Sequence, residues 1–71
     1  MNFRFEKMKR LRTRLGFSYQ GLALELAARF NYRITGASLD NWEKGRAEPR
    51  ASGVRCLALL ADKPMEWFFL P

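Results

Sequence analysis

Seventy-one residues carry 13 Lys and Arg against 7 Asp and Glu, with no His and a single Cys, for a formal net charge of +6. A chain this short supports one domain, which buries only roughly 60% of its unfolded surface and leaves no room for a deep, water-excluding cleft. The absent histidine removes the commonest general base and metal ligand, and the lone Cys56 excludes an intrachain disulfide framework or a cysteine metal cluster.

What remains favours a basic binding module over an enzyme. Hydrophobic residues make up 48% of the chain, enough for a small core, so disorder is not expected. The carboxylates are scattered, and nothing in the sequence forms a nucleophile–base pair. The longest apolar run, Cys56 to Ala61, is far short of the ~18 residues of a membrane span. Met1 to Lys7 lacks the apolar stretch of a signal peptide, and one unpaired Cys in an apolar run fits a reducing cytoplasm. Excess positive charge points to a polyanionic partner, either nucleic acid or an anionic membrane surface.

Taken in chain order, the sequence predicts five short helices and no strand. Helix 1 covers Phe5 to Leu15, with Phe5, Met8, Leu11 and Leu15 as an apolar stripe and Gly16 as a left-handed terminator. Helix 2 starts at the N-cap Ser18 and runs to Phe30, about 18–30, on the face Leu22, Ala23, Leu26, Ala27 and Phe30. Tyr32 is expected to pack back against it. Helix 3, about 35–44, starts at the N-cap Thr35, turns Leu39 and Trp42 inward and closes at Gly45, with Ile34 packing inward just before it. Helix 4 runs from Ala51 to Ala61 with Val54, Leu57, Ala58 and Ala61 on one face, and Gly53 weakens its start. Pro64 opens a last short helix carrying Met65, Trp67, Phe68, Phe69 and Leu70.

The informative segment is Ser18 to Pro49, two capped helices with Ala23 where they must cross closely, an arrangement that lets the second lie in a major groove. The pieces Leu11-Arg12, Gly16-Phe17-Ser18, Leu22-Ala23, Ile34-Thr35, and Leu39 with Trp42-Glu43-Lys44-Gly45-Arg46 and Pro49 follow one another in order. In that order the chain resembles the lambda-repressor-like (Xre/Cro-type) helix-turn-helix family over about Phe5 to Leu70. The resemblance implies an all-α, compact five-helix domain, 1–71, that binds double-stranded DNA as a transcriptional regulator. It implies a homodimer with recognition helices one DNA turn, ~34 Å, apart. No metal, cofactor or membrane enters this reading.

Residue by residue, the resemblance places Gly36, Ala37, Ser38, Asp40 and Asn41 toward base edges. Asn41 is the best reader, since its amide pairs bidentately with adenine. Gly36 and Ala37 offer only close approach and, for Ala37, contact with a thymine methyl. Ser18, Tyr19, Arg33, Thr35, Lys44, Arg46 and Arg50 are placed toward phosphates. Tyr19 stands where the family commonly has Gln, so its hydroxyl is left to serve a phosphate. Arg12 and Glu43 occupy the positions of a structural ion pair. Trp67, Phe68 and Phe69 either cap the core or form a dimer surface. The weak base-reading chemistry of Gly36 and Ala37 keeps an alternative open, a protein-interaction module on the same fold such as an antitoxin or adaptor.

Overall fold

Four α-helices and one closing 3-10 turn account for the regular structure of the computed structural model, which describes residues 2–71. They are α1 (Phe5–Leu15), α2 (Tyr19–Phe30), α3 (Gly36–Glu43), α4 (Ala51–Ala61) and the 3-10 helix Met65–Phe69. No strand forms among the described residues.

The boundaries follow from local chemistry. Ser18 and Thr35 are extended, and their hydroxyls accept the N–H groups of Gly21 and Ser38 at 3.0 and 3.1 Å. Gly16 is left-handed at φ 78, and the N–H groups of Gly16 and Phe17 return to the carbonyls of Thr13 and Arg12. Gly45, at φ 74, repeats this after α3, with Gly45 and Arg46 donating to Trp42 and Asn41. Both are Schellman closures, which satisfy carbonyls the helix leaves free. Asn31 and Asp62 supply the left-handed residue after α2 and α4.

The core is built from Met8, Leu22, Leu26, Leu39, Val54, Leu57 and Phe68, all less than 3% exposed. α3 packs on α1 and α2, and α4 packs on the closing turn. Tyr32 and Ile34 pack against this core, and α2 reaches Phe30 as the apolar pattern predicts.

Two expectations need correction. The inward face of α1 is Lys7, Met8 and Leu11, while Phe5 and Leu15 remain exposed by 43% and 42%. Lys7 is buried because its ammonium donates to the Trp67 carbonyl at 2.6 Å and lies 4.7 Å from the Trp67 ring centroid. The last helix is a 3-10 turn, and Pro64 precedes it in extended conformation at ψ 155, its carbonyl accepting from the Trp67 N–H. Among the described residues, no helix is long and apolar enough to cross a membrane.

Candidate functional site

α3 presents one face to the core and the other outward. Leu39, Trp42 and Glu43 are buried. With 100° between residues, the side opposite them carries Ala37, Asn41 and Lys44 at spacings of four and three. Ala37 and Lys44 are exposed and Asn41 is half-buried. Ser38 and Asp40 flank this line, also half-buried, and the Ser38 hydroxyl oxygen accepts from the Thr35 hydroxyl at 3.1 Å.

Gly36 does not join the outward face. A Cβ there would stand 3.4 Å from Tyr19 Cβ and 3.5 Å from the Gln20 nitrogen. The first residue of α3 therefore lies against the first turn of α2, at a distance where a methyl group would make ordinary van der Waals contact. Beside this contact, Gln20, Ala23, Leu24, Ala27, Arg33 and Ile34 line a shallow trough of about 480 Å³. Gln20 is an exposed amide next to Tyr19 that no spacing or cap in the sequence marks, and Leu24 is 63% exposed. The signal for Leu24 was present, because it falls off the Leu22-Ala23-Leu26-Ala27-Phe30 face.

Asp40 is held on two sides. Lys44 Nζ pairs with Asp40 Oδ1, and Arg46 Nη1 lies 3.9 Å from Oδ2. The Lys44 hydrogen bond keeps the Asp40 carboxyl below the usual carboxylate range and raises the Lys44 ammonium in turn. Asp40 thus shows the outside a compensated charge. Arg46 Nη1 also donates to the Asn41 Oδ1 at 3.5 Å, a long bond that leaves the second lone pair of that oxygen available.

Beneath this surface lies the expected Arg12–Glu43 pair, which the structure forms. Arg12 Nε and Nη2 donate to the two Glu43 oxygens at 2.7 and 2.9 Å, and Nη1 donates to the Phe17 carbonyl at 2.9 Å. This two-pronged bond depresses the Glu43 carboxyl pKa and raises that of Arg12. Tyr19 needs correction here. Its hydroxyl donates to Glu43 Oε1 at 3.1 Å and its ring lies under Arg12 at 4.4 Å, so the hydroxyl is taken up inside the fold. Burial and then the Glu43 bond push the Tyr19 pKa up.

Arg33, Arg46 and Arg50 are exposed around α3, at the α2–α3 connection, after α3 and before α4. Ser18 and Thr35 are exposed at the helix starts they cap. At the other end of the chain the three aromatics divide. Phe68 is fully buried and belongs to the core, stacked on Phe3 at 5.6 Å, while Trp67 and Phe69 are half-buried.

Among the described residues, no His, Cys, Asp or Glu group is placed to hold a metal ion. Burial pushes the half-buried Cys56 thiol up, away from a reactive thiolate. No family model, curated protein or solved structure matches this chain.

Proposed function

We propose that this chain is a DNA-binding regulator of the lambda-repressor-like helix-turn-helix type, laying α3 in the major groove. The observation that carries the reading is the outward face of α3, where Ala37, Asn41 and Lys44 line up between exposed cations on either side. Asn41 reads adenine bidentately, its amide N–H donating to N7 and its Oδ1 accepting from N6–H, and Ala37 meets a thymine methyl. Ser38 contributes its hydroxyl from the flank. Gln20 takes the amide role that Tyr19 cannot fill. Lys44, Arg33, Arg46 and Arg50 hold phosphates and fix register. The capped start of α2 at Ser18 adds N–H groups and a positive dipole end for a further phosphate. Two copies on an inverted repeat, with recognition helices ~34 Å apart, give the specificity that one eight-residue helix lacks.

Selection of duplexes from a random pool, followed by titration of the enriched sequence, tests this. The expected result is a short inverted repeat whose log affinity falls with log salt at about −3 to −4 per subunit, from four phosphate-neutralising side chains. Asn41→Ala removes discrimination at one base pair, worth roughly 1–3 kcal/mol, and Arg46→Ala weakens all sequences alike. Failure to enrich any sequence, or an Asn41→Ala protein with unchanged preference, overturns the proposal.

A further inference from the structure

Arg12 and its neighbours leave α1 on opposite flanks. Arg12 reaches α3 through Glu43. Arg10 and Arg14 instead border a recess between α1, the end of α4 and the closing 3-10 turn. Its walls are Leu11, Leu15, Leu60, Ala61 and Trp67, and Lys63 completes the rim. The cavity is about 70 Å³. That admits one aliphatic side chain and falls well below the roughly 300–1,000 Å³ of a small-molecule cleft. The Trp67 wall is held in place. Lys7 donates to its carbonyl, and the Lys7 and Lys63 ammonium groups lie 4.7 and 5.7 Å from the ring centroid. Arg10, Arg14 and Lys63 are exposed, and none joins an ion pair among the described residues.

We propose that this recess docks an acidic segment of a partner protein. One bulky aliphatic side chain fills the cavity, and flanking carboxylates meet Arg10, Arg14 and Lys63. Charge complementarity selects this occupant. A second copy of the chain, joined symmetrically here, brings the same three cations face to face and is repelled. A nucleic acid satisfies the rim but has nothing to place against four aliphatic side chains and an indole. An acidic peptide with an apolar anchor satisfies both, the rim steering encounter and the cavity supplying the anchor point. The recess shares no side chain with the α3 face, so this proposal stands independently of DNA binding.

Three labelled peptides test it against the full chain: a leucine flanked by glutamates, the same peptide with serine for leucine, and the leucine flanked by lysines. Fluorescence anisotropy reads binding, and the indole N–H resonances locate it, with buried Trp42 as internal reference. The acidic leucine peptide is expected to bind saturably and move Trp67 while Trp42 stays. The serine and lysine peptides, and the exposed-site variants Lys63→Glu, Arg14→Glu and Leu15→Ser, are each expected to bind about tenfold more weakly or worse. Equal binding of the serine peptide, an unmoved Trp67, or no saturation up to about 1 mM overturns the proposal.

Discussion

Gly53 is buried at the start of α4 because a side chain there has no space. A Cβ would stand 2.7 Å from the Trp42 ring carbon Cη2 and 2.9 Å from the Tyr32 hydroxyl. Helix propensity alone favours alanine over glycine by roughly 1 kcal/mol. Overpacking against a buried indole costs about 1–3 kcal/mol and wins. Gly53→Ala is therefore expected to lower the denaturation midpoint, whereas a gain in stability shows that Trp42 yields. Single residues also show what can be read without a structure. Ser18, Thr35, Gly16 and Gly45 announced their roles because capping acts within four residues of the chain. Tyr19, Lys7 and Gly36 did not, because their partners Glu43, Trp67 and the first turn of α2 lie 16 or more positions away.

At the scale of elements, α3 has only eight residues, too few to be stable alone. Its position depends on Leu39 and Trp42 beneath it, on the Thr35 cap, and on the Arg12–Glu43 bridge to α1. The helix was legible from its caps and apolar spacing, but its orientation was not, since the tether to α1 includes a tyrosine from α2. The bridge makes stability depend on acid. Glu43 is depressed in the folded chain, so its contribution is complete above the unfolded carboxylate value of about 4.3 and is lost as pH falls through the lower folded value. Asp40 shifts in the same direction through Lys44. Glu43→Gln keeps the shape and removes the charge. At pH 7 it is expected to cost about 3 kcal/mol, the low end for a broken buried pair, because the Arg12 side chain keeps 18% of its exposure to water. Urea denaturation of both proteins should show the gap narrowing below about pH 4.3, where Glu43 takes up a proton in the unfolded chain while the folded carboxylate stays ionised. A gap of unchanged size at pH 3 means the charge is not what holds α3.

The whole molecule is closed by its two ends. The Arg4 N–H donates to the Phe68 carbonyl at 2.7 Å, Phe3 stacks on Phe68, and Phe69 meets Phe3 edge-on at 6.1 Å. The Lys7–Trp67 bond, between residues 60 apart, adds a fourth tie. Sequence patterning exposes none of this, because Phe3 lies before the first helix and its partners lie in the closing 3-10 turn, 65 positions or more away. The consequence for stability follows from size. A chain of 71 residues has roughly 4–10 kcal/mol in all, at about 0.05–0.15 kcal/mol per residue. Emptying the site of a fully buried phenylalanine costs about 3–5 kcal/mol. Phe68→Ala is therefore expected to remove about 30% or more of the total and to lower the thermal midpoint by about 12–40 °C. Phe69→Ala, at a half-buried ring beside it, is expected to cost clearly less. Thermal melts of the two variants decide the matter: equal losses mean that the aromatic end is a surface feature and that Phe68 is not the residue closing the core.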